Sequence, residues 1–285
     1  MYPDTFMLYK NKLSILCIFF LLSKIGWYNN VLPASLHLSY PEDTLAVVVL
    51  STPSMFEQAF LPFLEEQSFQ GLSDPIDQCV KQCVSFCFSG QNIAVSFDYE
   101  LLPSRKPKFL AQTAAHVSGA AFYYQQSDKM YGVCVHPSFG GWFAIRALLV
   151  FEDVTVGSEL QQPVPPDCVP SREDRIRLLE AFNFNWQDWT YRDIISPVQT
   201  YSQKQKDYFG TLPAQRFDLL KTWGFLQKDG SEGEITQDTQ RQLPLILPAD
   251  RQSFFSLRRI CCRRLLQYVL FSYSCILLTV KDLFC

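Results

Sequence analysis

The alternation of apolar and polar positions along the chain predicts a domain built from both strands and helices. The continuous run LAVVVL is typical of a buried strand, whereas the alternating IAVSFDY is typical of a strand with one exposed face. The pattern places strands at residues 45–50, 93–99, 132–136 and 142–151. Gly140 and Gly141 lie in the link between the last two strands, which predicts a hairpin because glycine tolerates the backbone angles of tight turns.

Three segments have the spacing or composition of helices. They cover residues 54–63, 109–124 and 172–181, and the second is rich in alanine. Ser171 and Asp174 begin the third as a variant capping box, in which the hydroxyl accepts a free backbone N–H and the carboxylate faces the positive end of the helix.

The apolar residues 13–22 follow Lys10 and Lys12, which is the length and charge pattern of a signal peptide. A cleavage site of small residues does not follow, so a segment packed into the protein is the alternative.

The last part of the chain differs in composition from the rest. Residues 251–264 hold five arginines and no acid, and residues 265–280 are largely apolar. A basic flank before an apolar run is typical of a tail anchor, but this run is shorter than the span of about 20 residues that crosses a bilayer, and a non-native end is the alternative. We divide the chain into an apolar segment at 1–26, a main domain at 27–227 and a linker with its tail at 228–285.

Composition narrows the classes of function. The chain has 285 residues, 48% of them apolar, and a net charge of −3, which excludes a disordered chain and argues against nucleic-acid binding. Cys79, Cys83 and Cys87 would share one face of a helix, and since the chain has three histidines we expect buried thiols there rather than zinc ligands. The motifs of nucleotide-binding loops, zinc proteases and serine hydrolases are absent from the sequence.

Three segments carry candidate chemistry. Small residues at positions 114–121 would let a helix closely approach either a planar ligand or another part of the protein. Residues 133–146 combine a Gly-Gly turn, whose N–H groups could face a ligand, with Arg146. Five aromatic residues precede Arg192 within residues 182–193, and arginine beside aromatic rings suits capture of carboxylate or phosphate, with a surface ion pair as the alternative.

Taken together, these segments closely resemble the cobalamin-processing proteins of the methylmalonic aciduria and homocystinuria type C (cblC) family. The matching stretches are WYNNVLPASLHL, LSTPSMFEQAFLPFL, RKPKFLAQTAAHVSGAAFYYQ, GVCVHPSFGGWFAIR and DCVPSREDRIRLLEAFNFNWQDWTYRD. The similarity covers residues 27–218, and residues 126–131 are shorter than the family's loop at that place.

The resemblance implies an α+β protein with a nitroreductase or flavin-reductase-like fold, located in the cytoplasm. It implies binding of cobalamin with its nucleotide base off the cobalt, reductive decyanation of cyanocobalamin with FAD or FMN, and dealkylation of alkylcobalamins with glutathione as co-substrate. The implied partners are the type D cobalamin-trafficking adaptor, methionine synthase and its reductase, and a second copy of the chain. A cobalamin carrier without turnover and a generic flavin reductase are the alternatives.

The resemblance also implies roles for individual residues, although it assigns no catalytic one. The positions matching the cobalamin site are Asp98, Phe109, Leu110, Ala111, Gln112, Tyr123, Tyr124, Gln125, Cys134, Ile145 and Trp189. The positions matching arginines associated with glutathione are Arg146, Arg192 and Arg216.

His116 stands in an H-x-x-G sequence of the kind that ligates cobalt in one class of corrinoid enzyme. The aspartate that would orient the imidazole is replaced by Ala114. We therefore expect His116 near the ligand but not on the metal.

Overall fold

The computed structural model of the chain describes residues 17–66, 74–88, 90–126 and 130–225. The chain forms two compact units, one from residues 1–59 and 90–206 and the other from residues 60–89 and 207–285. They are described separately below, within the described residues.

A four-stranded antiparallel sheet organises the first unit. It consists of β1 (Ile18–Lys24), β2 (Thr44–Ser51), β3 (Ala94–Phe97) and β6 (Ala144–Thr155) in the order β1-β2-β6-β3. Every residue of β2 is buried, which explains its continuous apolar sequence. Residues 18–22 of the predicted apolar segment thus belong to an edge strand, and the predicted domain start at residue 27 falls inside helix α1 (Ile25–Asn29).

The predicted helix at 109–124 is wrong in its second half. Helix α4 spans Ala111–Val117, and residues 122–124 form strand β4 (Phe122–Tyr124), which pairs with β5 (Val133–Val135). Gly119 ends the helix with a φ of 75°, a conformation that favours glycine. A Cβ there would also lie 2.6 Å from Pro163 Cγ, so the close loop requires glycine as well.

The hairpin predicted between residues 132–136 and 142–151 is also wrong. Both strands exist, but β5 pairs with β4 in a separate two-stranded sheet, and only an isolated bridge between His136 and Gly140 closes the turn. The Gly-Gly turn therefore connects two sheets.

Helix α5 (Arg172–Phe184) confirms the predicted start, because Ser171 Oγ accepts the Asp174 N–H at 3.4 Å. Two short 3₁₀ turns follow it, at Trp186–Asp188 and Thr190–Asp193. Buried Leu178 and Leu179 pack with strands β4 and β5 in a second core cluster of this unit.

The second unit is helical within its described residues. A π-helical turn (Phe56–Phe60) leads into α2 (Leu61–Glu66), and these two elements replace the helix predicted at 54–63. Helix α3 (Pro75–Cys87), α6 (Gln203–Gly210) and α7 (Arg216–Thr222) follow, with a 3₁₀ turn at Pro213–Gln215. The first residues of the π-helical turn and of α6 belong to the first unit, since the division between the units falls after Ala59 and after Lys206. Cys79 and Cys87 are buried on α3 and Cys83 is half-buried, which confirms the predicted helical stripe of thiols.

Several predictions fall on residues outside the described ranges. These are residues 13–16 of the apolar run at 13–22, the linker from residue 228, the arginine cluster at 251–264 and the apolar run at 265–280. The helices within the described residues are all too short or too polar to cross a bilayer.

Candidate functional site

The first turn of α4 is fixed by contacts to the core of the first unit. Phe109 is buried, and the Leu110 N–H donates to the Tyr28 hydroxyl at 2.8 Å. Leu110, Ala111 and Ile145 pack half-buried against the core cluster that contains Phe109. The structure therefore brings together four of the residues predicted to contact cobalamin.

Gln112, Tyr123 and Cys134 join α4 to the β4–β5 pair. Gln112 Nε2 donates to the Gly132 carbonyl at 2.9 Å, the Cys134 thiol donates to the Gln112 carbonyl at 3.4 Å, and Tyr123 pairs with Cys134 in the ladder. Burial raises the pKa of Cys134. This thiol therefore stays protonated at neutral pH and is a poor nucleophile.

The small residues of this region face the protein. Ala114, Ala115, Ala120 and Ala121 are buried in the core cluster, which also takes side chains from β2 and β6. Close packing against the sheet is therefore the role that the structure gives to these small residues.

His116 closes the turn between α4 and β4. Its Nδ1 accepts the Tyr123 N–H at 3.2 Å, and its ring meets the Phe122 ring edge-on at 5.1 Å. Burial lowers the pKa of His116, while a hydrogen bond to the Ala121 backbone raises it by less. The neutral imidazole is thus built into the fold next to Tyr123.

Tyr124 belongs to a polar cluster on the other side of β4. Its hydroxyl donates to Asp167 Oδ1 at 2.7 Å and accepts the Val169 N–H at 2.8 Å. Arg175 forms an ion pair with Asp167 and places its Cζ 5.5 Å from the centre of the Tyr124 ring. Burial, and secondarily the bond to Asp167, raises the pKa of Tyr124, so the phenol remains neutral.

A cavity of about 200 Å³ opens beside this cluster. It is lined by Phe122, Tyr123, Tyr124, Gln125, Gln126, Arg172, Arg175 and Leu179. Three of the predicted cobalamin residues share this cavity with two arginines that the sequence did not single out. Its volume is below the range of about 300–1,000 Å³ typical of pockets for larger ligands, so it is too small for a whole corrin.

Arg192 lies in a box of aromatic rings. Its Cζ is 5.5 Å from the ring centre of Trp142, 5.0 Å from Trp189, and 5.1 Å from both Tyr191 and Tyr201. Trp189 adopts a φ of 66°, and its indole lies nearly parallel to that of Trp142, with 6.0 Å between ring centres. Such cation–π contacts hold the guanidinium in place.

Most of the donor capacity of Arg192 is unused by the described residues. Nη1 donates to the Gly141 carbonyl, and Nε is buried without an acceptor. The Nη2 atom also has no hydrogen-bond partner among the described residues, and it is accessible to solvent. A guanidinium has five N–H donors, and this one can therefore bind an incoming anion.

The Gly-Gly turn supports Arg192 rather than a ligand. The Gly141 N–H donates to the Arg192 carbonyl at 3.0 Å, and the Gly140 N–H donates to the His136 carbonyl at 2.9 Å. A Cβ at Gly141 would lie 2.9 Å from Arg192 Cα. The expectation that these N–H groups could face a ligand is therefore wrong.

Arg146 and Asp98 meet at the β3–β6 edge of the sheet. Arg146 is buried, and its Nε donates to Ser51 Oγ at 2.9 Å. Desolvation raises the pKa of Asp98, and the nearby Arg146 charge lowers it by less.

Arg216, the third predicted glutathione arginine, lies in the second unit. It forms an ion pair with Asp74, donates from Nε to the Thr211 carbonyl at 3.2 Å and covers the Tyr208 ring at 4.9 Å. The Tyr208 hydroxyl donates to the same Asp74 at 2.5 Å. Arg216 thus has an acidic partner, whereas Arg192 has none among the described residues.

Sequence reasoning missed Trp142, Tyr201, Arg175 and Asp74. Trp142 and Asp74 are distant along the chain from Arg192 and Arg216, which they contact. Arg175 reaches the Tyr124 ring from a later helix, and Tyr201 lies outside the aromatic segment at 182–193. Within the described ranges, His, Cys, Asp and Glu side chains form no group of three or more that could hold a metal ion.

Comparisons with known proteins show what the chain is similar to as a whole. The chain is 62% identical over 216 residues to the cyanocobalamin reductase / alkylcobalamin dealkylase of Danio rerio, covering 71% of this chain and 86% of that protein. It is 46% identical to the Homo sapiens protein of the same name, covering 80% and 83%. The crystal structure of a Caenorhabditis elegans B12-trafficking protein, CblC, superposes with a TM-score of 0.68 at 29% identity, covering 80% of this chain and 98% of that one.

A family model also matches residues 18–220, a range that begins with strand β1 and ends within α7. Because this match spans most of the chain and the relatives are similar over most of their lengths, the chain belongs to the methylmalonic aciduria and homocystinuria type C family.

Proposed function

We propose that this protein binds cobalamin with its nucleotide base off the cobalt and removes the upper axial ligand. The observation that carries this proposal is the 62% identity to a cyanocobalamin reductase / alkylcobalamin dealkylase over 86% of that protein's length. The gathering of Phe109, Leu110, Ala111 and Ile145 at one place in the first unit supports a common binding role.

In dealkylation, the glutathione thiolate attacks the alkyl carbon in line with the Co–C bond. A C–S bond forms, the Co–C bond breaks, and its electron pair stays on the metal, which gives cob(I)alamin and a glutathione thioether. The protein's contribution is positioning, since a correctly held thiolate reacts as if it were highly concentrated. Arg192 supports this role because its free N–H donors suit a glutathione carboxylate, and the protonated Cys134 does not compete as nucleophile.

In decyanation, cyanide leaves cobalamin as the metal is reduced. A reduced flavin, FAD or FMN, would supply the electrons, and the proposal of a flavin-reductase-like fold rests on the family resemblance. The aromatic and amide groups of the 200 Å³ cavity suit the displaced planar base, with Tyr124 and Gln125 as its contacts. Arg146 and Arg216 are proposed, from the family resemblance, as further arginines associated with glutathione.

Anaerobic incubation of the purified protein with methylcobalamin and glutathione tests the proposal. We expect the absorption spectrum of cob(I)alamin and stoichiometric S-methylglutathione. A bound but unchanged methylcobalamin spectrum would support a carrier instead. Turnover of simple acceptors by bound flavin, without any change in cobalamin, would support a generic flavin reductase.

The cellular setting follows from the same resemblance. We propose a cytoplasmic protein that forms a homodimer and delivers cobalamin through the type D adaptor to methionine synthase and its reductase. Co-purification of the type D adaptor with the tagged protein, dependent on added cobalamin, would support this assignment.

A further inference from the structure

A second cation shares the Trp142 ring with Arg192. The Lys206 ammonium nitrogen lies 4.6 Å from the centre of this ring, and the Arg192 Cζ lies 5.5 Å from it. Trp142 is almost completely buried, so the ring is a fixed platform rather than a mobile surface group. The two positive groups therefore contact one and the same ring.

Neither cation has an acidic partner in the described part of the chain. Lys24, Lys108, Arg175 and Arg216 each lie within 4.0 Å of a carboxylate, whereas Lys206 and Arg192 do not. Asp193, which follows Arg192 in the chain, accepts the Trp142 indole N–H at 2.6 Å and is not within ion-pair distance of either cation. Two cations at one ring without a carboxylate partner leave positive charge uncompensated, which favours a bound anion.

The backbone around Lys206 is well anchored in the first unit. Ser202 Oγ accepts the Gln205 N–H at 3.1 Å, and the Ser202 carbonyl accepts the Lys206 N–H at 2.9 Å, which starts helix α6. Ser202 Oγ in turn donates to Glu57, and Gln205 is buried. The start of the helix therefore fixes the direction in which Lys206 leaves the backbone.

We propose that Lys206 is a further glutathione-binding residue, which pairs with a carboxylate of the co-substrate beside Arg192. Glutathione suits two separated cations because it carries two carboxylates at the ends of a flexible chain. The planar guanidinium would bind one carboxylate in a fixed geometry, and the lysine would act as a point charge on the other. This inference rests on the glutathione-dependent reaction proposed above.

Steady-state dealkylation of methylcobalamin by Lys206→Gln, Lys206→Arg and wild type tests the proposal. We expect Lys206→Gln to raise the KM for glutathione about 5- to 10-fold with little change in kcat, because one charge-assisted contact is lost from binding. Lys206→Arg should restore most of the affinity. Flavin-dependent decyanation of cyanocobalamin, which uses no thiol, should be unchanged in both variants.

Lys204→Gln is the matched control, since it removes a lysine from the same helix without touching the Trp142 ring. An unchanged glutathione KM in Lys206→Gln, or an equal rise in Lys204→Gln, would overturn the proposal while leaving the dealkylation reaction intact. Calorimetric titration with S-methylglutathione provides a readout that does not need turnover. If Lys206→Gln binds this thioether as tightly as wild type does, Lys206 is not a glutathione-binding residue. This result would hold even if no dealkylation were observed.

Discussion

At the scale of single residues, Arg192 has the clearest chemical role. Its planar group is fixed by four aromatic rings and retains donors for an anion. We expect Arg192→Ala to lower kcat/KM for glutathione-dependent dealkylation at least about 10-fold, corresponding to the loss of one charge-assisted contact. Decyanation by reduced flavin should change much less.

Arg192→Lys is the matched variant, because it keeps the charge but loses the planar fork that the aromatic rings hold. It should show an intermediate loss. If both reactions fall equally in Arg192→Ala, the residue supports the fold or the cobalamin site rather than the binding of glutathione.

We expect His136 to make the stability of the protein depend on pH. Burial lowers the pKa of His136 from 6.5 to about 4, and its Nδ1 accepts the Ser138 N–H at 3.0 Å. Because the folded state favours the neutral imidazole, the stabilisation is fully present above pH 6.5 and is lost as the pH falls toward 4. The loss attributable to this residue should reach no more than about 3 kcal/mol.

Urea unfolding of wild type and His136→Asn between pH 7.5 and about 4 measures this effect. Asparagine offers an acceptor for the Ser138 N–H but does not titrate, so the variant should lose less stability than wild type over this interval. Identical pH slopes in the two proteins would show that His136 does not titrate differently on folding.

At the scale of elements, Asp74 joins three helices of the second unit. It caps α3 by accepting the Ile76 N–H at 3.3 Å, accepts the Tyr208 hydroxyl of α6, and pairs with Arg216 at the start of α7. The Asp74 and Arg216 side chains are only 15% and 13% exposed, so removing the carboxylate would leave a largely buried cation without compensation. We expect Asp74→Ala to lower the free energy of unfolding by about 3 kcal/mol or more.

Asp74→Asn separates the contribution of the helix cap from that of the ion pair, since asparagine caps a helix as well as aspartate does but carries no charge. Chemical denaturation should place this variant between wild type and Asp74→Ala. A loss below about 1 kcal/mol in Asp74→Ala would mean that the cap alone contributes and that the ion pair does not stabilise this unit.

The elements differ in how far the sequence could predict them. Helix α5 begins directly after Ser171, as the sequence predicts, because an N-cap depends only on residues within the first turn of the helix. Strand β4 could not be found in the same way, since its Phe-Tyr-Tyr sequence continues an alanine-rich helical pattern and only the left-handed Gly119 separates them. Pairing with β5, which depends on residues farther along the chain, decides its structure.

At the scale of the whole molecule, the candidate site combines positions that no local pattern connects. The sequence pattern indicated the aromatic segment that precedes Arg192. Trp142, whose ring contacts both Arg192 and Lys206, comes about 50 positions before Arg192, and Tyr201 follows it in the chain. The family resemblance supplied which arginines to consider. It could not distinguish Arg192, which keeps free donors, from Arg216, which is paired with Asp74, because that difference exists only once the chain has folded.

The role of strand β1 in the first unit leads to a prediction about the whole fold. β1 pairs with β2 along seven residues and covers one edge of a strand that is buried throughout. Deleting residues 1–24 would expose the unpaired backbone groups of β2 on an apolar edge, which favours association between chains.

We therefore expect the truncated protein to lose its sharp thermal transition and to elute as aggregates in gel filtration. Leu21→Asp tests the same contact without deletion, because Leu21 packs half-buried against the core cluster, and it should lower the Tm by several degrees. Leu22→Lys is the matched control, since Leu22 is 41% exposed and a lysine is well tolerated on an edge strand. A truncated protein with the Tm and elution volume of the full chain would show that β2 is protected without β1, and that the sheet of the first unit is stable as three strands.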